Sequence, residues 1–432
     1  MLNKIFLFFL LGVGSHLSVE VQPINFQTKD SRFYERQAIK AYQAKDFPAF
    51  LENMKAAENL RPNHPRLLYN LAVADTLNGK TSEAIQNLTK LAKMQLVYQV
   101  EKDDDFAALK NNPEFQELTK QFQFNSLPTR MSELAFIVPE KGLVTESIGF
   151  DSATRIFYLS SVAHRKILSV NERGEAKVFA DQTTGLWSVF GIKVDAKRQL
   201  LWAATSAHKQ MANVKLGENG KAGIFAFDLK SGKPVKKLFL IDGNQPHLLG
   251  DLAIAPNGDV YATDSNAPNI FVVRQGKNEI ETFLTSKLFA SPQGLDFSPD
   301  GKFLFVADYS NGLFRINLKT KQIITLAPIL NSTMLGIDGI YFTQNSLIGI
   351  QNGVNPQRVI QIFLSKSLDK IEDFKVIEAN NPLFDEITLG VLVNKQFYFI
   401  ANSQWNLLGE NGGFSAPEKL KDVNILKIAL KQ

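Results

Sequence analysis

The sequence predicts a mainly β protein, a six-bladed β-propeller preceded by a small α-helical domain. Three observations carry this. Apolar residues recur with a helical period over residues 32–122. After about Met131 the period changes to two, with Gly, Asn and Asp turn signals between the apolar runs. And one two-stranded unit then repeats six times.

The first element is an export signal. Lys4 precedes an apolar run from Ile5 to Val13, followed by the small residues Gly14, Ser15 and Ser18. That run is too short to span a bilayer comfortably, and its order of charge, apolar core and small residues fits cleavage. Residues 1–18 are therefore read as a signal peptide, and the protein as exported, periplasmic or secreted, with no membrane association after cleavage. The chain has no cysteine, so it holds no disulfide and no thiolate metal site. A formal charge of +5 is spread over 432 residues without a basic run, which argues against a nucleic-acid partner.

The helical stretch, residues 32–122, places Ala57, Pro62, Leu68, Leu71, Ala72, Ala84 and Leu88 where a tetratricopeptide repeat has its packing residues. Small side chains let paired helices approach, and a proline ends one helix before the next. Two such helix pairs are few for a free-standing solenoid, so this array is expected to lean on the rest of the protein or on a protein partner.

The propeller is assigned to residues 133–430. Its units begin at Glu146, Phe190, Gly250, Gln293, Asp338 and Leu389, about 43 to 60 residues apart, the spacing of four-stranded blades. The stretch "SPQGLDFSPDGKFLFVADYS" (Ser291–Ser310) shows the unit clearly: two apolar strands joined by a turn at Pro299-Asp300-Gly301. The last unit lacks an outer strand. Glu133–Glu140 is expected to supply it beside Asn424–Leu430, which closes the ring and removes an exposed edge.

In this register the first strand of each blade lines the central channel. Its second column is mostly glycine (Gly191, Gly294, Gly339, Gly390), which suits close backbone approach around the axis. Among these small residues stand Glu146, Asp251, Gln293 and Asp338. Like charges at one end of a narrow channel repel unless neutralised, and an all-oxygen set suits a hard divalent cation, most plausibly Ca2+. These four are the expected metal ligands. The second strands return to the same rim and end in Ser160, Thr205, Asp264, Asp308, Asn352 and Asn402. Asp264, Asp308, Asn352 and Asn402, with His208, are the expected substrate-binding groups; His164 and His247 fall in connections at that rim. A capping role for Asp308, ahead of the turn Ser310–Gly312, is the competing reading of that residue.

The six units resemble the gluconolactonase and senescence-marker family of six-bladed propellers and, more distantly, the paraoxonases. The resemblance runs over residues 142–430 and is carried by short motifs. It implies one divalent metal in the channel, held by Glu, Asn and Asp from separate blades. Glu146 matches the Glu, and Asp338 in "IDGIYF" matches the Asp. Gln293-Gly294 stands where the family has Asn-Gly, and Gly250-Asp251 where the paraoxonases have Asn-Asp. The family's substrate-reading arginine of the second blade has no counterpart.

The function expected from these residues is hydrolysis of a lactone or related ester with help from a divalent metal, probably calcium, at the channel mouth. Asp338, His247 or His164 would activate water. No G-x-S-x-G nucleophile elbow is present. The alternative is a non-catalytic binding module with a structural cation, its rim holding a small molecule.

Overall fold

The computed structural model describes residues 30–241 and 245–430. The expected signal peptide, residues 1–18, lies outside them. The chain divides into two compact units, one of helices up to Leu127 and one of strands from Pro128, the short segment 330–333 apart.

Among the described residues the first unit has five α-helices: α1 (Ser31–Gln43), α2 (Phe47–Leu60), α3 (Pro65–Leu77), α4 (Thr81–Lys93) and α5 (Pro113–Asn125). Local chemistry sets their starts. Asp30, Asp46 and Asn112 each accept a backbone N–H of the first turn of α1, α2 and α5, satisfying donors the helix cannot. Prolines 48, 65 and 113 occupy first-turn positions, where the missing N–H costs nothing. α1 packs on α2, α2 on α3 and α3 on α4, through fully buried Ala57, Ala72, Ala74 and Ala84 beside Leu68 and Leu88. The segment before α5 is tied down by Tyr42 Oη donating to Asp105 (2.8 Å) and Tyr69 Oη donating to Asp103 (2.6 Å). No helix among the described residues is long and apolar enough to cross a membrane.

The second unit is six four-stranded antiparallel sheets. Blades 1 to 5 are continuous in sequence, with inner strands Ile148–Asp151, Ser188–Asp195, Leu249–Ile254, Pro292–Phe297 and Ile337–Thr343. Blade 6 is composite. Its inner three strands are Gly390–Val393, Gln396–Ile400 and Val423–Ala429, and its outer strand is Ser132–Val138, paired from Ser132↔Ile428 to Val138↔Val423. The two ends of the propeller sequence thus meet in one sheet, and the outer side of Val423–Ala429 is paired rather than left open.

Six apolar clusters fill the six seams between neighbouring blades. Each draws on alternate residues of facing sheets, for example Val306 and Ile316 of blade 4 with Ala253 and Ile270 of blade 3. This is the period-two pattern of the sequence expressed as packing between stacked sheets. Toward the axis, glycine is required by space. A Cβ on Gly191 would stand 2.8 Å from Asp251 Cα, and one on Gly294 would stand 2.7 Å from Gly339 Cα and the Asp338 carbonyl oxygen. The linker into the propeller is fixed by Glu378, fully buried, whose Oε2 accepts the amides of Met131 (2.6 Å) and Ser132 (2.8 Å).

Candidate functional site

Four of the inner strands lose regular pairing just where the sequence places its polar column. The register against the second strand slips between Val189 and Ile192, between Leu249 and Leu252, between Pro292 and Leu295, and between Ile337 and Gly339. The residues skipped are Phe190-Gly191, Gly250-Asp251, Gln293-Gly294 and Asp338. A bulge frees a side chain from strict alternation and re-aims it. Each slip inserts one residue into the inner strand, yet the residues freed this way meet different neighbours.

Glu146 and Asp338 are brought to one place. Glu146 leads into the inner strand of blade 1. Its amide and that of Ser147 are held by Ser160 Oγ (3.3 and 2.9 Å), and its carbonyl accepts the Leu389 amide of blade 6 (3.0 Å). Its Oε2 accepts Trp405 Nε1 at 2.6 Å. Burial, and then the charge of Asp338, push the Glu146 carboxyl well above the usual range, against the pull of the Trp405 hydrogen bond. Asp338 is buried and its Oδ2 accepts Asn352 Nδ2 at 2.8 Å. Burial pushes it up to about 7, the Asn352 hydrogen bond opposing and the charges of Asp251 and Glu386 adding. Asn352 also donates to the Ile387 carbonyl (2.9 Å), and its Oδ1 is buried without a hydrogen-bond partner.

Two groups that sequence reasoning missed face the same space. Glu386, in the approach to the inner strand of blade 6, is raised by burial and acts electrostatically on both Glu146 and Asp338. Its φ of +67° is a conformation that a non-glycine residue adopts at a cost. The Tyr309 phenol is raised by burial and by Asp338, Glu386 and Glu146. No sequence column contains either residue, because both lie in connections.

Asp251 and Gln293 have partners of their own. Asp251 is buried with both carboxylate oxygens lacking a hydrogen bond, and Lys193 Nζ of blade 2 stands 3.4 Å from Oδ1. That ammonium also lies 5.1 Å from the ring centre of Tyr341. Burial raises the Asp251 carboxyl and Lys193 opposes the rise. Asp296, two residues further along its strand than Gly294, is pushed up to about 6 by burial and accepts the amides of Phe297 and Phe342 (both 2.8 Å). Gln293 Oε1, the proposed ligand atom, accepts Ser265 Oγ at 2.8 Å, and its Nε2 donates to Ser291 Oγ at 3.2 Å. Gly250 leaves the room for this, since a Cβ there would stand 2.5 Å from Ser265 Oγ. Among the described residues no three His, Asp or Glu side chains are grouped closely enough to hold an ion by themselves.

The column of second-strand ends is turned largely to the protein's own backbone. Ser160 serves the amides already named, Thr205 Oγ1 accepts Trp187 N (2.9 Å), and Asp264 Oδ1 accepts Leu248 N (3.1 Å). Asp308, fully buried, accepts four amides: Ala290 and Ser291 on Oδ2 (2.6 and 2.8 Å), Ser310 and Asn311 on Oδ1 (3.0 and 2.9 Å). Asn402 joins Asp422 O and Asn424 N (2.8 and 2.7 Å). Ser160, Thr205, Asp264 and Asp308 fix the chain where it enters the inner strands of blades 1 to 4, and Asn402 fixes the start of the third strand of blade 6. Asn352 is the member of the column that bonds a mouth carboxylate.

The histidines separate. His247 is buried and its Nδ1 lies 2.5 Å from Asp264 Oδ2, so these two expected site residues are partners of each other. His208 Nε2 lies 3.0 Å from Ser188 Oγ, its ring beside Phe190 and Trp405, and burial lowers it to about 4, leaving it neutral near pH 7. His164 packs toward Phe414 and is held below its ordinary range by burial and by Lys166.

No protein-family model matches the chain, and no curated protein matches its sequence. Among solved structures it is similar to a gluconolactonase from Xanthomonas campestris, with 15% identity, 69% of this chain and 91% of that chain covered, and a TM-score of 0.47. It is also similar to the PQQ-bound aldose sugar dehydrogenase from Streptomyces coelicolor, with 11% identity, coverage of 70% and 99%, and a TM-score of 0.46. A catalytically inactive virginiamycin B lyase from Staphylococcus aureus with quinupristin shows 14% identity, coverage of 68% and 83%, and a TM-score of 0.44. The six-bladed assignment itself rests on the strand pairing of this chain.

Proposed function

We propose that this protein is an exported hydrolase of a lactone or related ester, assisted by a divalent metal, with calcium the best-suited ion. The observation that carries the reading is the pair Glu146 and Asp338. Two carboxylates from blades 1 and 5 share a buried setting that raises both, beside an Asn352 Oδ1 with no partner. Buried negative charge without compensation is unstable, and a hard cation among oxygen donors removes the difficulty. Glu146, Asp338 and Asn352 Oδ1 would hold it, with Asp251 and Gln293 requiring rearrangement to join. When bound, the ion polarises a carbonyl and stabilises an oxyanion.

The remaining chemistry belongs to side chains. Asp338 would take a proton from water, and Asn352 Nδ2 fixes its orientation for that transfer. Trp405 holds Glu146 in the same way. His247, placed against Asp264, and His164 are the other candidate bases; both are tested by substitution below. Export rests on residues 1–18.

A second reading has an observation in its favour. Lys193 beside Asp251, and the wide use of rim polar groups to hold backbone, describe a rim built for rigidity. A propeller that binds a small ligand without turning it over, with a protein docking on the helical unit, would look the same. The deciding experiment is metal analysis and Ca2+ calorimetry of the purified chain, together with a lactone and aryl-ester panel with and without chelator. Hydrolysis that chelator abolishes and Ca2+ restores supports the enzyme. Cation and ligand binding with no turnover across the panel leaves the binding module.

A further inference from the structure

We propose that Trp405 is a positioning residue for Glu146, and that the long connection carrying it is a working part of the cation site. The inference rests on the reading of the mouth carboxylates as a divalent-cation site.

The connection runs from Ile400 to Val423, between the second and third strands of blade 6. The corresponding connections of blades 1, 3, 4 and 5 are short, from Ser161 to Lys166, Asp264 to Asn269, Asp308 to Gly312 and Gln351 to Arg358. Blade 2 has the other long one, from Ser206 to Ala222. These two are bonded to each other. Gln210 Nε2 donates to Leu408 O (2.9 Å), Asn411 N to Lys209 O (2.8 Å), Gly412 N to Gln210 O (2.9 Å), and Asn213 N to Asn411 Oδ1 (2.9 Å). Blades 2 and 6 flank blade 1, so together the connections bridge its rim, over an apolar layer of Val144, Val162, Ala163, Phe190 and Leu408.

What the bridge delivers is a pair of donors. Trp405 Nε1 donates to Glu146 Oε2 at 2.6 Å, and the amide of the next residue, Asn406, donates to Glu386 Oε2 at 3.2 Å. Adjacent residues thus each hold one carboxylate of the mouth. The indole is placed by contacts other than Glu146: it stacks on Phe190 with centroids 6.1 Å apart and planes at 26°, and His208 lies beside it at 6.3 Å. The donor is therefore positioned before any ion arrives.

This arrangement suits an ion-binding carboxylate. A charge-assisted bond to one oxygen of Glu146 selects a rotamer and leaves the other oxygen for a cation. A free glutamate would have to surrender its rotamer freedom on binding. Trp supplies a donor with no acceptor, so it cannot compete as a ligand. Outer hydrogen bonds of this kind commonly set metal affinity by about 10- to 100-fold.

The test uses the full chain. Trp405→Phe removes the N–H and keeps an aromatic ring against Phe190. Ca2+ affinity is measured by calorimetry, and melting is measured in chelator. The expected result is a dissociation constant at least about tenfold weaker than wild type, with the melting temperature in chelator unchanged. Unchanged affinity overturns the proposal, whether or not the melting temperature falls, because Trp405 is then only a cover. An independent measurement on the wild type covers the case of a variant that does not fold. With indole-15N labelling, and assignments from Trp187→Phe and Trp202→Phe, the Trp405 resonance should move during a Ca2+ titration with the calorimetric dissociation constant. A Trp405 resonance that stays fixed while Ca2+ binds overturns the proposal alone. A wild type that binds no divalent cation overturns both it and the metal reading.

Discussion

Replacing Asp338 by Asn should stabilise the metal-free protein at alkaline pH and destabilise its response to calcium. Asparagine is nearly isosteric, and its carbonyl can still accept Asn352 Nδ2. What it removes is a buried charge. The Asp338 carboxyl moves from an ordinary value of 3.8 to about 7 in the fold, so the folded protein holds a proton that the unfolded chain has already released. Folded chains bind more protons than unfolded ones between those two values, and stability therefore falls as pH rises from about 4 to 7. The difference of about three units corresponds to roughly 4 kcal/mol against the ionised folded form above pH 7. In a domain of this size each kcal/mol moves the melting midpoint by about 2 °C. In chelator at pH 8, Asp338→Asn should therefore melt several degrees above wild type, and the two should converge near pH 4. Differential scanning calorimetry from pH 4 to 8 measures this, and the wild-type minus variant difference cancels the titrating groups that Asp338 does not act on, leaving Asp338 and its effect on Glu146. With Ca2+ at a hundredfold over its dissociation constant the wild type gains about 2.7 kcal/mol, whereas the variant should hardly respond. A metal-free variant less stable than wild type at pH 8 would refute the argument from uncompensated charge.

Other consequences follow from named contacts. Asp338→Asn should reduce lactone or ester turnover by about two orders of magnitude or more, since base and ligand are lost together and each 1.36 kcal/mol of barrier is tenfold; His247→Gln and His164→Gln, assayed in parallel, should retain turnover unless one of them is the base. Lys193→Met strands the Asp251 carboxylate, buried and without hydrogen bonds, and should cost roughly 3 kcal/mol in denaturant unfolding; adding Asp251→Asn should recover most of it, and no recovery would mean the pair is not the cause. Asp308→Ala orphans four backbone amides and should cost about 2–4 kcal/mol while leaving the calorimetric Ca2+ affinity unchanged, which a cation-contacting role would not allow.

The architecture was legible from the sequence because it depends on local period and on repetition. Each blade is written within its own stretch, the alternation that fills the seams is visible residue by residue, and the lone strand before the first unit had to belong to the unit that lacked one. The glycines of the second column announce crowding that the structure confirms at Gly191 and Gly294. The partners of the polar residues were not legible, because each is chosen across distance in the chain. Gln293 and Asp308 sit at one end of the same hairpin, yet Gln293 is turned to Ser265 of the preceding blade and Asp308 to four amides, two at the entry to the hairpin and two in the connection that leaves it. Asp251 reads in sequence like Asp338, but Lys193 reaches the former and Asn352 the latter. Trp405 meets Glu146 across the seam between the first and last blades, from a connection with no repeat to align it. Periodicity determines which face a residue occupies, while bulges and long connections, built from contacts between blades, decide what each side chain touches there.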